Sequence, residues 1–110
     1  MVIQRNCEFV TNSNSPIVSK IFSNSTGDIL TLQISGANGE YYLEGRNNSK
    51  LDWIAMGGIN LSDFSAVKGK FTKAGMYEIG IAGARELRVR VNSTEGNVSI
   101  FGQIISLEET

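Results

Sequence analysis

The chain has 110 residues, 41% of them hydrophobic, with ten basic and eleven acidic side chains and a formal net charge of -1. That length suits one domain, since two would each be too small to bury an adequate core, and the hydrophobic content excludes a disordered chain. The basic residues are dispersed, densest at Lys68, Lys70 and Lys73 and at Arg85, Arg88 and Arg90; so balanced a charge lacks the electrostatic field that nucleic-acid binding uses, and no nucleic-acid partner is expected.

Residues 1–10 alternate apolar with polar side chains and lack the apolar h-region of a signal peptide. Cys7 is the single cysteine, which excludes an internal disulfide and leaves it as a small, half-buried strand residue. After the polar stretch 11–15 comes Pro16, the only proline, placed to begin or edge a strand. From Ile29 to Ile34 the alternation sets Leu30, Leu32 and Ile34 on one face. Asn38-Gly39 then carries the signature of a two-residue type I′ turn and is expected to join strand 28–36 to strand 40–46 as a hairpin. Within the second of these, Tyr41 and Tyr42 are adjacent and must point to opposite faces.

Asn47-Asn48-Ser49-Lys50 reads as a polar turn before the strand 51–56, and Gly57-Gly58 as another break. The best helix candidate is a single turn near 61–66, capped by Asn60 or Ser62. Residues 76–81 gather Tyr77, Ile79 and Ile81, and residues 86–92 put Leu87, Val89 and Val91 inward with Arg88 and Arg90 outward on a solvated face. Segment 97–107 sets Val98, Ile100, Gly102 and Ile104 on one face and Phe101 and Ile105 on the other. Glu108-Glu109-Thr110 read as a loose tail. About eight strands at a spacing of roughly ten residues predict an all-β antiparallel sandwich or barrel, the sandwich preferred, in one domain over residues 1–110. No apolar run approaches the roughly 20 residues of a helical bilayer span, so no membrane partner is expected.

Chemistry is sparse. The chain has no histidine, which removes Ser-His and Cys-His nucleophile pairs, imidazole bases and histidine metal sites together. Carboxylate pairs remain, Asp52 with Asp63 or Glu40 with Glu44, and the latter two read as solvated surface charges. Asp28, Asp52 and Asp63 stand apart as turn formers without a calcium-loop pattern. No enzyme activity, cofactor or metal is therefore expected. Trp53, the only tryptophan, reads first as a core residue; the rival reading is a carbohydrate-contacting platform of Trp53, Tyr42, Arg88 and Arg90.

Read in order, Tyr42-Leu43-Glu44-Gly45-Arg46, Leu51-Asp52-Trp53-Ile54, Gly58-Ile59-Asn60-Leu61-Ser62-Asp63, Ala74-Gly75-Met76-Tyr77, Glu86-Leu87-Arg88-Val89-Arg90-Val91 and Gly96-Asn97-Val98-Ser99-Ile100-Phe101-Gly102 form a series. That series, within residues 28–104, resembles small β-sandwich structural proteins of tailed bacteriophages and prophages. The resemblance implies a jelly-roll-like sandwich in the virion, made in the bacterial cytoplasm and serving as a head decoration, fibre or tail accessory protein. It implies a homo-oligomer, a trimer for preference, in contact with other virion proteins. No catalytic residue comes with it. Because segment 97–107 is apolar on both faces, Ile100, Phe101, Ile104 and Ile105 are the candidate oligomer interface, the alternative being a central strand within the domain. A lectin-like carbohydrate-binding module for host-surface recognition is the second functional reading.

Overall fold

The computed structural model describes residues 2–107, with side chains from Gln4 to Ser106; the tail expected at 108–110 lies outside the described residues. Two antiparallel sheets face one another. The first orders β1 (Val2–Ser13), β11 (Val98–Leu107), β4 (Ile29–Gly36), β9 (Gly75–Gly80), β7 (Gly58–Asn60) and β8 (Ala66–Val67). The second is built on β10 (Glu86–Thr94) and β5 (Gly39–Arg46), with β2 (Ile17–Val18) and β3 (Phe22–Ser23) along β10 and β6 (Ile54–Ala55) along β5. The fold is thus an all-β sandwich. Six strands are six residues or longer, as alternation marks them, whereas the five short pieces hold too few residues to show a period.

Alternation explains the core. Leu30, Leu32 and Ile34 of β4, Tyr77 and Ile79 of β9, and Ile100 and Ile104 of β11 face inward from the first sheet. Tyr41 and Leu43 of β5 and Leu87, Val89 and Val91 of β10 meet them from the second. Edge-to-face ring pairs close both flanks, Phe9 on Phe22 at 4.9 Å and Phe71 on Tyr77 at 4.8 Å between centroids. Gly102 also faces inward, where a Cβ would come within 2.8 Å of Leu30 and 3.0 Å of Phe9; glycine lets β11 approach those side chains.

Three local features bear on these expectations, and the first overturns one. The Asn38-Gly39 segment is not a hairpin: β4 lies in the first sheet and β5 in the second, so the chain crosses between layers here. Neither residue has positive φ; that conformation falls on Gly36, at +112°, where a Cβ would clash with the Asn97 carbonyl. The crossing is held by Ala37 N–H donating to the Asn97 carbonyl at 3.0 Å and Tyr41 Oη donating to the Ala37 carbonyl at 2.6 Å. Second, residues 61–66 close one turn, Phe64 N–H to the Asn60 carbonyl at 2.7 Å, but Phe64 turns left-handed at φ 60° and no helix propagates. Asn60 Oδ1 caps it, accepting from Ser62 N–H and Oγ–H. Third, β1 runs on to Ser13, with register shifts around Val10; the first lets Phe9 and its neighbour Val10 both face the core.

Candidate binding face on the second sheet

The outer surface of β5 and β10 repeats a cross-strand pattern. Register opposes Arg46 to Glu86, Glu44 to Arg88 and Tyr42 to Arg90, and alternation turns all six away from the core. Arg46 Nε bonds Glu86 Oε1 at 2.7 Å. Glu44 lies between two guanidinium groups, with Arg88 Nε on Oε1 at 2.8 Å and Arg90 Nε on Oε2 at 3.1 Å. Its side chain is only 7% exposed, so it is not the solvated charge the sequence suggested. Burial is tolerable because both carboxylate oxygens are held by charge-assisted bonds. Arg88 is likewise half-buried rather than solvated.

Aromatic rings complete the face. Trp53, carried by the loop between β5 and β6, lies 4.2 Å from the Arg46 guanidinium carbon and 4.3 Å from that of Arg88, measured to the ring centroid. Arg90 lies 4.3 Å from the Tyr42 ring centroid. Trp53 is only partly buried and stands outside the core, which corrects the first reading of it. In place of the strand expected over 51–56 there is only the two-residue β6 before Met56, which leaves Trp53 free to fold over its neighbours. Trp53, Tyr42, Arg88 and Arg90 therefore share one surface.

Three members of the face had no place in that platform: Glu44 as the clamp, Arg46 as the second ring partner and Glu86 as its ion-pair partner. Period two already placed Glu40, Tyr42, Glu44 and Arg46 on one side of β5. Only the register against β10 could show which charge meets which. A groove of about 500 Å³ is lined by Gly45, Arg46, Leu51, Ile54, Met56 and Ala84, with Leu51 and Ile54 exposed.

The candidate interface residues divide between two environments. Ile100 and Ile104 are consumed by the core, and β11 is a central strand between β1 and β4. Phe101 and Ile105 point outward on the first sheet, Phe101 with 41% of its surface exposed. Register surrounds Phe101 with Glu8, Gln33 and, one strand further, Met76. These side chains, with Asn6, Thr31 and Gln103, line a hollow of about 390 Å³.

The remaining titratable groups have local duties. Glu40 accepts from Asn92 Nδ2 at 2.9 Å and lies 4.0 Å from Lys70 Nζ. Asp63 Oδ1 accepts from both Ser65 Oγ–H and N–H, and the side-chain bond first, then the backbone bond, holds its carboxyl below the usual range. Asp52 and Asp63 sit in different loops. Burial pushes the Cys7 thiol up, against weaker pulls from Arg5 and Lys20, and likewise raises the Tyr77 hydroxyl. Among the described residues no three potential metal ligands come together.

No family model matches the chain, and neither does any curated protein. Two solved structures do. The SPBc2 prophage-derived protein YomS superposes with a TM-score of 0.87 at 21% identity, over 96% of both chains. The PBSX exported protein XepA superposes with a TM-score of 0.86 at 18% identity, over 96% of this chain but 38% of its own. At these identities what this chain shares with a prophage-derived protein and an exported one is the fold.

Proposed function

We propose that the chain is a non-enzymatic structural protein of a phage or prophage particle, as a head decoration, fibre or tail accessory, which self-associates and docks on other particle proteins. The observation that carries this reading is the end-to-end likeness to a prophage-derived protein of the same extent, joined to the ordered series of motifs in residues 28–104. The outer face of the first sheet suits contact between copies. Ile59, Met76 and Phe101 are exposed there, with Ile29 and Ile105 half-buried beside them. Proteomics of particles purified on a density gradient tests the reading. The chain should be present at a fixed ratio to the major structural proteins; its absence from intact particles would overturn it.

A second reading is favoured by one observation, that Trp53, Tyr42, Arg88 and Arg90 converge on the second sheet. On this reading the face is a carbohydrate-binding platform, compatible with a place on a particle. Fluorescence of Trp53, the only tryptophan, should change when a recognised saccharide is added. An unchanged spectrum across a saccharide panel contradicts it.

A further inference from the structure

We propose that the ligand of the outer β5–β10 face is an anionic saccharide, one bearing carboxylate or phosphate groups; this rests on the platform reading and names its substrate class. Three observations carry it. First, the rings already have guanidinium partners: Arg46 and Arg88 lie against Trp53, and Arg90 against Tyr42, all within 4.3 Å. A neutral sugar stacking on the ring faces that these guanidiniums cover would have to displace an arginine. What the face presents instead is guanidinium groups held flat and in place by aromatic surface.

Second, the charges do not cancel. Arg46 has Glu86 to itself and Glu40, on the same side of β5, lies by Lys70, but Arg88 and Arg90 share the single carboxylate of Glu44, so four cationic groups meet three carboxylates. Glu44 fixes both neighbours through their Nε–H groups, and a guanidinium bound on that side keeps the outer end of its fork for another acceptor. Arg88 and Arg90 stand two residues apart on one strand, about 7 Å, which matches two anionic groups on one chain better than a single ion. Their orientation is set before binding, so little side-chain freedom is lost on contact.

Third, the surroundings supply uncharged hydrogen-bonding groups of the kind hydroxyls need. Asn47 is exposed next to Arg46 in the chain, and Asn92 flanks Arg90, its Oδ1 accepting from Nη1 at 3.5 Å and its Nδ2 donating to Glu40, which leaves the second lone pair of Oδ1 for a hydroxyl. The overall charge of -1 argues that recognition is local and not a general attraction for polyanions.

The test is titration calorimetry with a tetramer of galacturonic acid, its methyl ester, galacturonate and glucose 6-phosphate as single sugars, and tetraglutamate, with Trp53 fluorescence in parallel. The acid tetramer should bind at least about tenfold more tightly than the ester and weaken as salt is added. Arg88→Gln and Arg90→Gln should each lower its affinity about tenfold, with circular dichroism and solution mass unchanged. Arg88→Lys, which keeps the charge but loses the planar fork, should recover only part of it. The two single sugars identify the preferred anion; tighter binding of either supports the proposal. Equal binding of acid and ester overturns it while leaving the platform reading intact, and tetraglutamate binding as tightly as the acid overturns the saccharide class. If none of the saccharides binds, both readings fall together.

Discussion

The two sheets present the same inner surface and opposite outer ones. Inward, both are aliphatic with occasional rings, because alternation in each strand serves one shared core. Outward, β5 and β10 carry arginines, glutamates and aromatic rings locked to one another. By contrast, β1, β11, β4 and β9 carry Asn6, Gln103, Thr31, Gln33, Met76 and Phe101, where Gln103 Nε2 donates to Asn6 Oδ1 at 3.1 Å. The β5–β10 surface is ordered by its own contacts. The outer face of β11, β4 and β9 keeps apolar side chains in water, and the difference fits the proposals of ligand recognition on one side and protein contact on the other.

Mutations should separate core, ordered face and open face by size of effect. Leu32→Ala removes a fully buried side chain of the first sheet and should cost about 3 kcal/mol in urea unfolding. A loss below about 1 kcal/mol would mean that the two sheets do not share a close-packed core. Glu44→Ala leaves Arg88 and Arg90 without their common partner. Since both remain partly exposed, a loss of about 1–2 kcal/mol is expected, well short of a fully buried pair. Trp53→Ala should cost about 1 kcal/mol and loosen the 47–53 loop, visible as faster amide exchange there. Phe101→Ser should stay within about 0.5 kcal/mol for the unassembled chain. If Phe101→Ser unfolds the domain and Glu44→Ala does nothing, the contrast between the faces is wrong.

The smallest effect concerns Cys7. Its folded thiol is raised above the ordinary value of 9.0 by burial, so the fold favours the neutral form. Stability should be indifferent to this group below that pH and decline as pH rises through it, because only the unfolded chain ionises readily. At pH 8 a thiol reagent should label Cys7 in urea and leave the native protein untouched. Rapid native labelling would place Cys7 at the surface.

Much of the sandwich was legible from period two. The inward faces of β4, β9, β10 and β11 stand as the alternation of Leu30, Ile79, Val89 and Ile100 with polar neighbours implies. What alternation could not convey was partnership. Asn38-Gly39 looked like a hairpin because turn chemistry is local, while the choice of a new sheet depends on strands far along the chain. Trp53 looked like core because its size and scarcity favour burial, yet a stack on Arg46 and Arg88 shelters it on the outside. Glu44 looked solvated for the same reason: its two arginines lie 44 and 46 residues away. The outer β5–β10 face was thus legible as a set of residue types, and its clamp only as a structure.

The central claim, that this is a self-associating structural protein, is tested most directly by its molar mass in solution, measured by light scattering across a range of concentrations. A closed oligomer is expected, with three copies of the 12.0 kDa chain favoured, and Phe101→Arg should shift it toward monomer without unfolding it. A mass of 12.0 kDa at every concentration would contradict the account.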